Sequence, residues 1–595
     1  MSERLPPSID PVLYELVSTG LRAVCNEMAL LVAKSAYSIA VAEGRDFAGA
    51  IYDRHGFLVA QGETDLPAFV GITMVAVPEV LRSIGVANMR PDDIYMINDP
   101  YVASTHCNDI HFVRPVFYDD QIIAFVSSTA HWSDVGGVAP GSINVSARSH
   151  YEEGVRIPAI TIWRAGELNR DVVALLLHNM RESWERMGDL NAQTSAVRLG
   201  DRRIRELAEK HGLAAVLAGM AEIQNQSERM MRENLRALPD GVYEAEDWVD
   251  EDVATGDPVA IRLRLTIDGD HADVDLTASD GAAGSGVNST IAATTSAVFI
   301  AVGSILPTMP MNAGILRAMT IRTTPGSICH AQPPSAISAT AASSMEAVIG
   351  AVTLAMSAAL PARGAGVAST ILNTTYHGWD TRDGFATTYI CYIWSPGGMG
   401  GSRAKDGANV VGSPYASTIV NVPAELQERR FPLLYRRYQL LQNSGGPGRS
   451  RGGMAVHQLV TFPYVAGTLS TFGNRERFGP PGVFDGQVGR TAGMALNPDT
   501  EREQSLPVFS VLVPVAVGDL LSFWSAGGGG YGDPLERDPE RVLNDVIDEY
   551  VSIEGARADY GVVVRELDRR CLSYEIDAGA TAALRAELQA ARAGS

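Results

Sequence analysis

Four glycine-rich stretches fall in the last third of the chain: Gly397-Gly-Met-Gly-Gly401, Ser444-Gly-Gly-Pro-Gly448, Gly452-Gly453 and the run 527–530. A stretch without side chains contributes nothing to an apolar core, so such segments cannot be ordinary strand or helix interiors. Strand-like runs lie between them, at 456–462 and 508–517. Together they read as tight turns in a β-rich module. A phosphate cradle made of backbone N–H groups is the competing reading for 527–530. However, the chain has no Gly-x-x-x-x-Gly-Lys-Ser/Thr and no Gly-x-Gly-x-x-Gly between a strand and a helix. It also has no Gly-x-Ser-x-Gly nucleophile elbow.

The first third has a different pattern. Apolar residues recur at helical spacing over 10–42 and again over 68–85. Between them, 47–59 alternates like a hairpin, with Gly56 suited to the positive φ of a tight turn. Strands are expected at 94–97, 110–117 and 122–127, and a helix-rich segment over 167–236. Pro239-Asp240-Gly241 breaks that segment. Strands then follow at 261–267 and 272–276, and a buried helix at 345–361. Helix returns over 535–562, with Asp538-Pro539 as cap and first turn. The expected fold is α+β: helical N-terminal segments around a mixed β/α metal-binding region, then a glycine-rich β portion. The expected divisions are 1–238 (metal-binding), 239–534 (β-rich with a buried helix) and 535–595 (helical).

Charge and cysteine content narrow the function. The net charge of −21 repels polyanions, and no long basic run offsets it, so nucleic acid is not expected as a partner. Five dispersed cysteines without a CxxC argue against a disulfide framework and against a thiolate zinc site. No basic-then-apolar leader pattern opens the sequence and no uncharged apolar span with flanking anchors follows, so a cytoplasmic protein without a membrane partner is expected.

The chemistry concentrates at 98–142. His106, Asp109, His111, His131 and Asp134 fall within 29 residues, and three of the chain's 11 histidines are among them. Mixed imidazole and carboxylate sets suit Zn²⁺, Mn²⁺ or Fe²⁺ rather than Ca²⁺ or Mg²⁺. In a strand over 109–117, Asp109 and His111 point to one face, because side chains alternate with a period of two. Two neighbouring strands, each opening with a His and an Asp, would converge such ligands. A histidine that merely satisfies core hydrogen bonds is the bland alternative for each position.

These segments, taken with the rest of the chain, resemble the hydantoinase B/oxoprolinase family. The resemblance rests on Thr105-His106 with Asp109, on Ala130-His131 with Asp134-Val-Gly-Gly, and on Pro140-Gly-Ser142. It continues through Glu153-Gly154-Val-Arg-Ile-Pro158, Gly188-Asp189-Leu-Asn-Ala192-Gln193 and Asn443-Ser-Gly-Gly-Pro-Gly-Arg449, to Gly528-Gly-Gly530-Tyr-Gly-Asp-Pro. It implies the metal-binding B-type subunit of an ATP-dependent cyclic amide hydrolase, working in a hetero-oligomer. An A-type partner would bind ATP and Mg²⁺ and activate the substrate carbonyl by phosphorylation. A ketone carboxylase subunit of the acetone or acetophenone type is the alternative. Carried over by motif position, the implied metal ligands are Asp46, His106, Asp109 and His131, holding zinc or manganese. Asp134 would orient His131, and Asp134 or His111 would accept a proton. The sequence departs from the family twice. Many relatives carry histidines where this chain has Asp65-Leu-Pro67-Ala-Phe69, and a tighter Gly, Asn, Glu pattern where it has Thr340-Ala-Ala-Ser-Ser-Met-Glu346. Both stretches are candidates for the substrate pocket. Purified alone, the chain should hydrolyse no ATP with any substrate; a substrate-stimulated ATPase from this chain free of partner would overturn the division of labour.

Overall fold

The computed structural model describes residues 9–593. The expected hairpin forms from β1 (Phe47–Asp53) and β2 (Leu58–Gln61), which pair antiparallel, and its turn passes through Gly56 at φ +85°. β3 (Ile94–Ile97), β4 (Asp109–Tyr118), β5 (Gln121–His131), β6 (Ile160–Arg164) and β7 (Glu167–Leu168) complete an antiparallel sheet in the order β2-β1-β5-β4-β3-β6-β7. The period of two divides β1 cleanly between two cores. Phe47 and Ile51 pack with helices Pro11–Ser35, Ser183–His211 and Leu213–Arg236 on one face. Ala48, Ala50 and Tyr52 pack with helix Pro67–Ile84 on the other.

The first helix stops earlier than its apolar pattern suggests. It is capped by Asp10, whose carboxylate accepts from the N–H groups of Val12 and Leu13, both at 3.0 Å. It ends at Ser35, and a short helix, Ile39–Ala42, follows the break. The break coincides with a competing acceptor: Asp189 takes the N–H groups of Tyr37 and Ser38, at 2.9 and 3.1 Å.

β8 (Gly241–Val249), β9 (Val259–Asp268), β10 (His271–Asp275) and β11 (Met319–Arg322) form a second sheet. It packs with helix Ser344–Ala359, which in turn packs against Ile291–Ile305, a helix not assigned from the sequence pattern. β12 (Leu372–Asp380) and β13 (Thr387–Ser395) form a hairpin in a third sheet with strands Gly467–Phe472 and Ser510–Val515. One apolar core holds residues from Ala40 to Ala526, and a small separate cluster lies between Val542 and Val564. Among the described residues, three helices have the length and apolarity to cross a membrane; in the most buried of them, Thr340–Ala359, 83% of the apolar window is enclosed by protein.

The glycine stretches are not the turns that their composition suggests. No glycine in the four stretches has a positive φ. Their backbones lie directly on one another. The Gly528 N–H donates to the Gly453 carbonyl at 3.0 Å, Gly446 to Gly528 at 2.8 Å, and Gly401 to Gly529 at 2.8 Å. A Cβ on Gly528 would stand 2.0 Å from the Met399 carbonyl oxygen, and one on Gly452 would stand 1.9 Å from that of Gly528. Glycine is required here because any side chain would push the paired backbones apart, not because the chain must reverse. Gly528→Ala should therefore destabilise the protein by about 3 kcal/mol, the upper range for overpacking; a denaturation midpoint equal to wild type would refute the packing argument.

Candidate metal centre

The central strand register sets the first two ligands. β4 begins at Asp109, directly opposite His131 at the end of β5. Antiparallel pairing thus brings the start of one strand to the end of its neighbour; the two strands do not both open at the site, as the sequence suggested. The next strand over, β1, contributes its approach: the His131 N–H donates to the Asp46 carbonyl at 3.0 Å. The loop before β4 returns His106 to the same place. One ligand atom each from His106, Asp109 and His131 lies within 4.8 Å of the others, and all three residues are buried.

Distances in this group are those of a ligand set rather than of closed ion pairs. Asp109 Oδ1 stands 3.5 Å from His106 Nδ1 and 3.6 Å from His131 Nδ1. Ligands about 2.0–2.1 Å from a tetrahedral zinc are roughly 3.4 Å apart, whereas a charged hydrogen bond closes to about 2.8 Å. His106 Nδ1 is buried without a hydrogen-bond partner, a costly state for a ring nitrogen unless something else satisfies it. Asp109 Oδ2 is held by the Thr105 hydroxyl and by the Thr105 N–H at 3.2 Å, leaving Oδ1 to face the histidines. The donor set and the orphaned nitrogen fit a divalent metal.

Burial and mutual attraction set the charges. Burial pushes the Asp109 carboxyl up, but His106, His131 and Thr105 beside it bring it down to about 2. Burial lowers His106 to about 4 against the pull of Asp109, so it is neutral and able to ligate at neutral pH. Burial also lowers His131, yet Asp46 and Asp109 more than reverse this and leave it raised. Asp46 is pushed up to about 6 by burial, with His131 opposing. It lines the same cavity as the three clustered ligands but stands outside their 4.8 Å group.

The other two expected site residues do not join. His111 is fully buried with both nitrogens engaged: Nε2 with Ser104 Oγ at 3.0 Å and Nδ1 with Thr129 Oγ1 at 2.7 Å. Asp134 makes no bond to His131. Its oxygens accept from the N–H groups of Gly136, Gly141 and Arg181 and from the Arg181 guanidinium, at 2.8–3.0 Å, so it fastens the loop after β5.

The cavity beside these side chains is small, with ≈ 40 Å³ of free space. Leu66, Ala68 and Phe69 from the first divergent stretch line it, and so does Ala341 from the second. Its far wall comes from the C-terminal half: Asn373 on β12, Tyr392 and Trp394 on β13, Tyr415 and Phe472. Tyr392 meets the His131 ring edge-on at 5.7 Å, and its hydroxyl donates to the Ser133 and Gly141 carbonyls, both at 3.0 Å. None of these five residues carries a local sequence signal; only their convergence on His131 reveals them.

The hydantoinase B/oxoprolinase family model matches residues 10–534. The chain belongs to this family. It is 32% identical to a protein named as a D-/L-hydantoinase subunit, of the B type, from Pseudomonas sp. (strain NS671), over 95% of this chain and 97% of that one. It is 30% identical to the beta chain of the caprolactamase of Pseudomonas jessenii, over 94% and 97% of the two chains. The crystal structure of the ATP-dependent caprolactamase from the same organism superposes with a TM-score of 0.87, at 30% identity, over 97% of this chain and all of that chain. An acetone carboxylase structure shares the fold, with a TM-score of 0.89 at 21% identity over 98% of this chain and 84% of that one. As a family member, the chain is of an enzyme type whose relatives are named as subunits.

Elemental analysis should find about one divalent metal per chain, and His106→Ala and His131→Ala should each lose it, because a site of three or four ligands rarely holds an ion well with one fewer. His111→Ala should keep it. Metal retained in both ligand variants, or lost in His111→Ala alone, would place the centre elsewhere.

Proposed function

We propose that this chain is the metal-binding B-type subunit of an ATP-dependent cyclic amide hydrolase, completing hydrolysis of a substrate activated by phosphorylation on an A-type partner. The observation that carries this reading is a buried His106–Asp109–His131 cluster opening on a largely apolar cavity. Asp46 is the proposed fourth ligand, from the same cavity wall. When bound, zinc or manganese would acidify water and polarise a carbonyl at that point.

The chain's own residues supply the rest. Leu66, Phe69, Ile143 and Phe472 give the cavity walls with which an uncharged ring would pack while water is excluded. Many family members carry histidines in the stretch that provides Leu66 and Phe69, so this wall favours an apolar ring over a polar one. Thr105 fixes the Asp109 carboxylate. Ser104 and Thr129 fix His111 behind Asp109, so we assign His111 a positioning role and not that of proton acceptor. Asp134 with Arg181 likewise holds the loop that follows His131.

A ketone carboxylase is the second reading. The acetone carboxylase likeness that favours it shows the fold alone, whereas the relatives at 30% identity or more are named hydantoinase and caprolactamase. Co-expressed with an A-type partner, the chain should support ATP-dependent ring opening of lactams or hydantoins. His106→Ala should abolish turnover while the partner's nucleotide binding persists. Bicarbonate-dependent consumption of a ketone, with no cyclic amide opened, would decide for the carboxylase.

A further inference from the structure

The wall between the metal cavity and the outside is one residue thick in three places. Asp46 lines the cavity, while Arg45 and Phe47 on either side of it line a second, larger basin of ≈ 610 Å³. Leu66 faces the cavity and Thr64 the basin; Ile419 faces the cavity and Val420 the basin. The three segments are stitched together: the Leu66 N–H donates to the Phe47 carbonyl at 3.1 Å, and the Val420 N–H to that of Gly44 at 3.0 Å. Gly44 itself lies against Trp394, where a Cβ would stand 2.3 Å from the indole. At Arg45 the chain takes φ +60°, a region that L residues seldom adopt, and successive residues there face opposite compartments.

The two compartments differ in chemistry. Apart from Asp46, His106, Asp109 and His131, the inner cavity is mainly apolar and aromatic, with Thr105 and Asn373 as its uncharged polar residues. The outer basin carries both signs of charge: Lys34 and Arg45, Glu43 and Glu63. All four are exposed, and among the described residues none of their side chains finds an ion-pair or hydrogen-bond partner. That is unusual for opposite charges sharing one concavity.

Hydrolysis of a lactam changes the charge of the molecule. The C–N bond breaks, water supplies the hydroxyl to carbon and a hydrogen to nitrogen, and at neutral pH the new acid passes its proton to the amine. A neutral ring becomes a chain with a carboxylate at one end and an ammonium at the other. With Asp46 and Asp109 given to the metal, the cavity lining holds no further carboxylate for the ammonium, and burying an unpaired charge is costly. Resting on the function proposed above, we propose that the basin lined by Lys34, Arg45, Glu43 and Glu63 is a binding site for the zwitterionic, ring-opened amino acid. Lys34 and Arg45 take its carboxylate; Glu43 and Glu63 take its ammonium.

The test is calorimetric titration of the full chain, with its partner where the two co-purify, using 6-aminohexanoate, hexanoate and hexylamine as probes. The zwitterion should bind about tenfold tighter than either singly charged analogue, a difference of about 1.4 kcal/mol. The double variant Lys34→Ala/Arg45→Ala should lose that preference, and Glu43→Gln/Glu63→Gln should equalise 6-aminohexanoate and hexanoate. His106→Ala should still bind the zwitterion, which separates the basin from the metal centre. Equal binding of the three probes, wild-type affinity in the Lys34/Arg45 variant, or loss of binding in His106→Ala overturns the assignment. Turnover of a cyclic amide without zwitterion binding removes the basin site alone. Charge-dependent binding without any amide turnover removes the hydrolase reading and leaves the site.

Discussion

The closed half of the site depends on backbone-to-backbone packing among glycines 366–453 and 486–530. These segments approach too closely for any Cβ, and their peptide groups satisfy one another without forming regular strands. Ser369 N–H donates to the Gly398 carbonyl at 2.8 Å, and Gly366 N–H to that of Gly401 at 2.8 Å. Those bonds clamp the open end of the β12–β13 hairpin, whose residues Asn373, Tyr392 and Trp394 wall the cavity. The rigidity of the aromatic wall therefore derives from a region that contributes almost no side chains.

The other half is organised by one carboxylate. Asp109 is buried between two imidazoles, and their attraction outweighs the burial that would otherwise neutralise it. An ionised carboxylate in such a place is costly unless it is paired and hydrogen-bonded. Thr105 provides the hydrogen bonds on one oxygen, and the other oxygen is left for the histidines. The polar residues around it are fastened in turn: His111 by Ser104 and Thr129, Asp134 by Arg181 and three backbone N–H groups. The centre thus sits in a scaffold in which the neighbouring titratable groups already have partners.

Tyr392 links the two halves. Its ring abuts His131, and its hydroxyl holds the carbonyls of Ser133 and Gly141 in the loop that Asp134 also secures. The C-terminal hairpin consequently shapes the cavity and fixes the strand end that carries His131.

The sequence by itself determined the elements whose cause is local. The 47–59 hairpin, the helix capped by Asp10, the helix at 344–359 and the strand that begins at Asp109 all follow from periodicity, capping and turn chemistry within a few residues. The close spacing of His106, Asp109 and His131 marked a candidate cluster for the same reason, and the divergent stretches at 65–69 and 340–346 contribute residues that line the cavity beside it. Tertiary structure decided what depends on distant partners. It separated His131 from His111, because strand register and the hydroxyls of Ser104 and Thr129 determine which imidazole keeps a nitrogen free. It turned Asp134 toward Arg181 instead of His131. It made the glycines close contacts instead of turns, since the carbonyls they meet lie up to more than a hundred residues away. It also brought Tyr392 and Trp394 to a ligand cluster some 260 residues earlier in the chain. Composition records that a residue is small, apolar or able to ligate; which backbone it meets, and at what distance, is fixed only when long-range packing closes.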